Sequence, residues 1–324
     1  MENNLKGNNP VVRNVGIDWL KALAVFLVMN SHMQICYPKY DFLATGGAIG
    51  DALFFFASGF ALFLGRQMRF DNWYKRRINR IYPSIIATAI IAWAVWGNSD
   101  SIGDILLGKG YWFIECILVY YILLYPVKAI KNGNLAPYVL AAVGACAFLY
   151  FLFFHKGQLY YGGTPFGRVV FFLIMLQGAI MGKSSNKYTF KWWYVLLLAV
   201  SIGMFYAIQA NGSDNWIVLL SFVALMGITR YAYLSCCAPV LAKIYNHRWL
   251  GGLVYIISQC CLEVYLIQKY IFTDQLNSLF PLNIPIIMIA VLLAAYIIKT
   301  IAEFISQTFK SEPYDWRKML LVRR

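Results

Sequence analysis

Three ionisable residues lie along the first apolar segment of the chain, which runs from Arg13 to Met33 (RNVGIDWLKALAVFLVMNSHM). On a helix, Asp18 precedes Lys21 by about one turn, and His32 follows Lys21 by eleven residues, about three turns or roughly 16 Å. Ionisable groups inside a membrane span usually face a bundle interior or a wet cavity, so this pattern indicates a functional site. Alternatively, Asp18 and Lys21 are anchors at one interface and His32 lies in the opposite headgroup layer.

His32 is the first candidate for acid–base chemistry. A neutral imidazole with an ordinary pKa near 6.5 suits a general base that takes a proton from a hydroxyl at neutral pH. Asp51 in GGAIGDALFFFASGF and Glu115 in YWFIECILVYY are expected one turn inside their spans, near the level of His32. Either carboxylate could orient the imidazole. The alternative for Asp51 is an acid at a loop edge among headgroups.

A basic stretch with aromatic residues covers residues 66–83 (RQMRFDNWYKRRINRIYP). Arg77 and Arg80 are three residues apart, so on a helix their planar guanidinium groups can converge on phosphates. Arg76 is the neighbouring candidate for the same ligand. The alternative is a juxtamembrane loop that binds anionic lipid. Pro83 is expected to kink or to start the following helix.

Small residues mark the second apolar segment, around Gly46, Gly50, Ser58 and Gly59. They permit either close approach of another helix or a break in this helix, and the sequence leaves both open. A break near Ser58 would free backbone N–H groups to bind an anion or a developing oxyanion. Glu263, deeper in another segment, is expected to need a basic partner or a proton.

Composition places the chain in a membrane. Of its 324 residues, 60% are hydrophobic and only 13% are charged, with a mean hydropathy of +0.60. Soluble domains carry about a quarter charged residues. The net charge of +14 comes from basic residues between apolar segments, which indicates membrane topology and anionic lipid contact and not nucleic acid. The seven cysteines show no metal-ligand spacing, so we expect no metal.

Ten segments are long and apolar enough to span a bilayer. They are residues 17–37, 47–65, 80–97, 111–127, 136–154, 166–182, 192–210, 215–234, 251–272 and 282–305. Lysine and arginine are concentrated on one side of this arrangement if both termini are cytoplasmic. The sequence therefore predicts an all-α, polytopic membrane bundle of about ten helices. Residues 1–12 are predicted to be a disordered cytoplasmic N-terminus, residues 13–308 the membrane domain and residues 309–324 a basic cytoplasmic tail.

Several motifs together resemble the acyltransferase 3 family, the integral-membrane O-acyltransferases of bacterial surface glycans. GIDWLKALAVFLVMNSH is similar to the family's opening helix, where a basic residue precedes a histidine by ten intervening residues; here these are Lys21 and His32. GDALFFFASGF resembles the second-helix motif, although Asp51 stands where valine is usual. RRINRIYP resembles the paired-arginine motif. YWFIECILVYY and LEVYLIQ resemble later helices, but Gln268 replaces the family's histidine, so no role is carried to it.

The resemblance implies transfer of an acyl group, most often acetyl, from cytoplasmic acyl-CoA to a hydroxyl of a cell-envelope sugar or polysaccharide. The expected location is the bacterial cytoplasmic membrane, with polysaccharide-assembly proteins as further partners. Lys21, Arg76, Arg77, Arg80 and Ser58 are the candidate donor-binding residues on this interpretation. His32 is the candidate base, with Asp51 and Glu115 beside it.

Two other functions fit the same residues. Ionisable groups inside Gly-rich spans are also typical of a transporter or flippase for a glycan-lipid or small anion, although no inverted repeat is visible. A lipid-binding scaffold is the third alternative. Release of free CoA from acetyl-CoA separates an acyltransferase from both.

Overall fold

The computed structural model describes residues 13–65, 67–97, 104, 111–130, 134–154, 164–184, 188–210 and 219–322. The predicted disordered segment 1–12 lies outside these residues. The described part of the chain is helical, with no β-strand. We number its α-helices as α1 (Val15–Ser31), α2 (Gly47–Leu64), α3 (Phe70–Trp96), α4 (Trp112–Ala129), α5 (Ala136–Phe154), α6 (Pro165–Lys183), α7 (Trp193–Ala210), α8 (Leu219–Cys236), α9 (Pro239–Asn246), α10 (Arg248–Gln259), α11 (Cys261–Ile271), α12 (Asn283–Thr308) and α13 (Trp316–Met319).

The predicted all-α membrane bundle is confirmed. Within the described residues, seven helices are long and apolar enough to cross a membrane, namely α2, α3, α4, α6, α7, α8 and α12. The bent pair α10 and α11 is an eighth span if it is counted as one. Helix α1 has 17 residues, at the lower limit for a span. The predicted number of ten spans and the cytoplasmic side of both termini stay predictions.

Long-range contacts distinguish two ends of the bundle. At what we call the basic end, where α1 and α3 begin, the Lys128 ammonium at the end of α4 donates hydrogen bonds to the carbonyls of Leu62 and Gly65, at 2.8 and 2.7 Å. At the opposite end, which we call the far end, the amide of Asn283 donates to the carbonyl of Cys36 at 2.7 Å. This contact joins the start of α12 to the chain after α1.

Helices α2 and α6 pack backbone to backbone. A Cβ atom on Gly59 would overlap the carbonyl oxygen of Met175, and one on Gly178 would overlap that of Phe56. Helix α2 is continuous from Gly47 to Leu64, so the small residues serve close approach and do not break the helix. The backbone N–H groups near Ser58 are therefore engaged in the helix, and only the Ser58 side chain is available to a ligand.

The helix break lies elsewhere, in the segment 251–272. This segment was predicted as a single span, and the structure shows it as two helices that together are long and apolar enough to be one bent span. Helices α10 and α11 are bent by 76° at Cys260, whose backbone (φ −93°, ψ 12°) leaves the helical conformation. The Cys260 N–H still closes α10 on the carbonyls of Ile256 and Ile257, while its carbonyl accepts from Val264 to start α11. Since neither Gly nor Pro occurs at the break, the sequence carries no local signal for it.

Helix α3 is longer than predicted. It begins at Phe70, so residues 70–83 of the basic stretch form the first half of this helix. Pro83 lies inside α3 and does not start it. The helical register holds Arg77 and Arg80 on neighbouring turns, as their spacing predicted.

The close approach of α2 and α6 generates a stability prediction. Gly59→Ala should destabilise the protein by about 1–3 kcal/mol or more, because the added methyl group meets a backbone carbonyl that cannot move away without shifting α6. The measurement is the thermal unfolding midpoint of the purified protein in detergent. Gly203→Ala in α7 is the matched control, since its Cβ would meet open space. Equal midpoints for the two variants would contradict the proposed packing constraint.

Candidate functional site

A cavity of about 100 Å³ lies inside the bundle where seven helices meet. Its walls combine basic, hydroxyl and apolar side chains. They are Lys21 from α1; Phe54, Ala57, Ser58, Ala61 and Leu62 from α2; Arg77, Arg80 and Ile81 from α3; Phe113, Ile114, Ile117 and Tyr121 from α4; Ser258 and Gln259 from α10; Cys261, Leu262, Glu263 and Tyr265 from α11; and Lys299 from α12. We call this the central cavity. The structure thus brings together Lys21, Ser58, Arg77 and Arg80 from three separate helices.

Asp18, one turn before Lys21, is a buried carboxylate that anchors the start of α1. Asp18 is 3% exposed and binds the guanidinium of Arg13, with 2.9 Å between Nη2 and Oδ1. The hydroxyls of Tyr245 and Ser258 also donate to it, at 2.5 and 3.3 Å. These contacts tie the start of α1 to α9 and α10. Asp18 is therefore a structural anchor that is bound by these three side chains. It forms no ion pair with Lys21.

The protonation of Tyr245 supports this anchor. Burial raises the pKa of Tyr245 to about 12, and the hydrogen bond to Asp18 acts in the same direction. The phenol therefore stays protonated at neutral pH and keeps donating to the carboxylate.

Arg77 is held by aromatic rings and not by an acid. Its guanidinium carbon lies 4.7 Å from the ring centre of Trp73 and 5.8 Å from that of Tyr121, which is cation–π distance. Its buried Nε has no hydrogen-bond partner. The rings hold the guanidinium beside the central cavity, while its hydrogen-bonding capacity is left for a ligand.

Lys21, Arg77 and Arg80 are three cations on one cavity that form no ion pair with another described residue. Charges within a membrane bundle are costly unless they are paired, so three converging unpaired cations favour an anionic ligand. The start of α11 adds to the positive electrostatic potential of these three cations. The first-turn N–H groups of Cys261 to Glu263 have no intrahelical acceptor, and a helix N-terminus carries partial positive charge.

Glu263 has the basic partner that its position required. It is fully buried, accepts a hydrogen bond from the hydroxyl of Ser84 at 2.5 Å, and lies 3.3 Å from the ammonium of Lys299. Lys299 also lies 3.5 Å from Glu303, which in turn binds Lys318 at 2.8 Å. Sequence reasoning missed Lys299, although a lysine inside the predicted span 282–305 was a visible signal.

A second cavity, of about 590 Å³, adjoins the central cavity at the basic end. Its walls come from Arg13 just before α1, from α3, α10 and α12, and from the tail. They are Arg13, Arg76, Asn79, Arg80, Tyr255, Gln259, Lys299, Glu303, Ser306, Lys310, Lys318 and Leu321. We call it the vestibule. Arg80, Gln259 and Lys299 line both cavities, so they form the boundary between them.

The predicted catalytic residues lie towards the far end and do not line the central cavity. His32 follows the last residue of α1 and is exposed, with its backbone N–H bound to the carbonyl of Met29. Asp51 is half-buried on the face of α2 that carries Phe54 and Ser58, and therefore lies about 10 Å beyond Ser58 along the helix. No hydrogen bond or ion pair among the described residues joins His32 to Asp51 or to Glu115.

Glu115 has a partner that the sequence did not predict. Arg168 at the start of α6 lies 3.4 Å from it, and both side chains are about 40% exposed. This pair joins the far ends of α4 and α6. Orientation of His32 by Glu115 stays a prediction.

Gln268, which replaces the family's histidine, is buried on α11. It is 4% exposed, and its Oε1 has no hydrogen-bond partner. It lies three residues after Tyr265, on the face of α11 that lines the central cavity. The position is thus polar and interior despite the substitution.

The anchoring role of Asp18 generates a second prediction. Asp18→Asn should lower stability by about 1–3 kcal/mol, because it removes the charge that Arg13 and Tyr245 bind in a buried setting. The measurement is the unfolding midpoint in detergent. Asp71→Asn is the control, because the Asp71–Arg69 pair is exposed and such pairs contribute about 0–1 kcal/mol. A midpoint unchanged by Asp18→Asn would contradict the anchoring role.

Comparison with known proteins agrees with this geometry. No curated protein and no solved structure matches the chain. The family model described as an acyltransferase domain matches residues 14–300, which include all the residues that line the central cavity. The chain belongs to this acyltransferase 3 family and is a membrane acyltransferase.

Proposed function

We propose that this protein is an O-acyltransferase that moves an acyl group, most simply acetyl, from cytoplasmic acyl-CoA to a hydroxyl of a cell-envelope sugar or polysaccharide. The observation that carries the proposal is the convergence of Lys21, Arg77 and Arg80, without carboxylate partners, on a cavity that adjoins a basic vestibule. The bacterial cytoplasmic membrane is the proposed location, with the basic end facing the cytoplasm.

The chemistry of the two cavities suits the two ends of acyl-CoA. Arg76 and Arg80 line the vestibule, where guanidinium groups can bind phosphates in bidentate fashion. The central cavity has apolar walls, including Phe54 and Ile117, which suit the uncharged pantetheine arm. Lys21 and the hydroxyl of Ser58 are within the same cavity and offer hydrogen bonds to the arm's amides or to the thioester.

His32 is the proposed general base. The imidazole would take the proton of the acceptor hydroxyl while its oxygen attacks the thioester carbonyl carbon. The tetrahedral intermediate would then collapse with cleavage of the C–S bond, and the departing thiolate would receive the proton. The exposure of His32 at the far end supports access by an acceptor from that side.

The distance between the two sites sets a requirement on this mechanism. Lys21 and His32 are separated by about 16 Å along α1, a span comparable to an extended pantetheine arm. The same face of α1 carries Val25 and Val28, which are buried. The donor arm therefore reaches His32 only if side chains in this part of the bundle move. Asp51, on the neighbouring helix α2, lies between the level of Lys21 and the level of His32. Its carboxylate is proposed to interact with the reacting groups.

A transporter or flippase is the second candidate, and the helix break at Cys260 favours it. Broken helices whose ends meet at a central site are typical of secondary transporters. The two functions differ in their products. A carrier leaves acetyl-CoA intact, whereas an acyltransferase releases free CoA when an acceptor is present.

Donor binding is the first test of the proposal. The Arg77→Ala/Arg80→Ala variant should bind acetyl-CoA at least tenfold more weakly than wild type, since two guanidinium–phosphate or guanidinium–carbonyl contacts are lost. The measurement is calorimetric titration of the detergent-purified protein, with ATP and free phosphate as competitors. Arg69→Ala is the matched control, because Arg69 is exposed and lines neither cavity. No binding by folded wild-type protein would favour the transporter.

Transfer to the acceptor is the second test. His32→Ala should reduce transfer of labelled acetyl groups to envelope glycans about a hundred- to ten-thousandfold while leaving acetyl-CoA affinity unchanged. His247→Asn is the histidine control, because His247 caps α10 and asparagine can cap in its place. Transfer at the wild-type rate by His32→Ala would exclude His32 as the base.

A further inference from the structure

The C-terminal tail lies outside the family match, which ends at residue 300. Three types of contact nevertheless fold it back against α12. The backbone N–H of Asp315 donates to the side-chain oxygen of Gln307 at 2.7 Å. The rings of Tyr314 and Phe304 stack with centres 5.6 Å apart, and Met319 and Leu321 are buried. The tail therefore has a defined position on the basic end of the bundle.

This position makes the tail a wall of the vestibule. Lys310, Lys318 and Leu321 line it opposite residues of α3 and α10. The vestibule lining contains six basic side chains and a single carboxylate, Glu303. Lys318 is held at this wall by Glu303, while Lys310 forms no ion pair with another described residue. Two of the six cations are thus contributed by a segment that the family match does not include.

The tail is also linked to the central cavity. Glu303 lies between Lys318 and Lys299, and Lys299 lines both cavities and binds Glu263. Glu303 therefore links Lys318 on α13 to Lys299, which lies at the boundary between the vestibule and the central cavity. An anion that bound Lys318 would compete with Glu303 for it and would change the charge around Lys299.

We propose that the tail completes the donor-binding site, with Lys310 and Lys318 binding the phosphate groups at the nucleotide end of the donor beside Arg76 and Arg80. The inference rests on the proposed function, because it assigns the vestibule to the phosphates of the same acyl-CoA. Anionic lipid headgroups offer the same phosphate chemistry, so the experiment has to separate a soluble donor from lipid.

The test compares two donors on three tail variants of the full-length protein. Lys310→Ala and Lys310→Ala/Lys318→Gln remove the vestibule lysines. Arg317→Ala removes one exposed positive charge from the same tail at a residue outside the vestibule lining. Acetyl-CoA and S-acetylpantetheine are titrated against each, because the second compound has the acyl arm but no phosphate.

We expect Lys310→Ala to weaken acetyl-CoA binding about threefold to tenfold and the double variant about tenfold or more. Arg317→Ala should stay within about twofold of wild type, and S-acetylpantetheine should bind all variants equally. Unfolding midpoints report whether each variant is folded. The titrations are repeated in nanodiscs of neutral lipid and in nanodiscs of neutral lipid mixed with phosphatidylglycerol. This comparison shows whether the lysines bind the phosphates of acetyl-CoA or those of lipid headgroups.

Three results would overturn the proposal. In the first, the lysine variants bind acetyl-CoA like wild type while Arg77→Ala/Arg80→Ala loses it; the donor assignment then stands and the tail has no part in it. In the second, Arg317→Ala weakens binding as much as Lys310→Ala, which identifies general attraction and not a site. In the third, the lysines affect affinity only when phosphatidylglycerol is present, which assigns them to lipid. Absence of acetyl-CoA binding by wild type would remove the proposed function itself.

Discussion

Unpaired positive charge inside the bundle is the constraint on which the site depends. Lys21, Arg77 and Arg80 converge from α1 and α3 on one cavity and have no carboxylate among the described residues. Two buried acids elsewhere in the interior have partners: Asp18 binds Arg13, and Glu263 binds Lys299. Since the bundle supplies partners for these acids, the unpaired cations are best understood as a site that is completed by a ligand.

Two kinds of helix contact hold these charges together. Glycines let α2 and α6 approach backbone to backbone, which fixes the wall that carries Ser58. Asp18 ties α1 to α9 and α10, which fixes Lys21 beside the bend at Cys260. The bend directs the first turn of α11 at the cavity, so backbone N–H groups add to the positive field without any further charged side chain.

The polar residues are distributed along one direction of the bundle. The vestibule at the basic end leads past Arg80 and Lys299 to the central cavity, and Asp51 lies further along α2. His32 is at the far end, exposed. A donor with a phosphate-bearing head and a long neutral arm fits this order of charges. In the proposed function, the anionic part of the donor would stay at the basic end and the acceptor would approach from the far end.

Local spacing allowed part of the site to be predicted. Arg77 and Arg80 share a helix face because they are three residues apart, and Lys21 faces the interior because it stands in an apolar helix. The partner of Glu263 was predicted by type, although not by position. The bend at Cys260 within the predicted span 251–272 was missed because no Gly or Pro marks it. The partner of Glu115 was missed because Arg168 is on a different helix.

The sequence by itself determined the class of the protein. Hydropathy and the low content of charge require helices in a membrane, because a bilayer leaves backbone groups no other partners, and the motifs on these helices identify an acyltransferase. Only the tertiary structure decided which charges meet. Asp18 binds Tyr245, 227 residues away, and Glu263 binds Ser84, 179 residues away. These pairings depend on how helices pack, and packing is set by side-chain shape across the whole bundle, which no local pattern records.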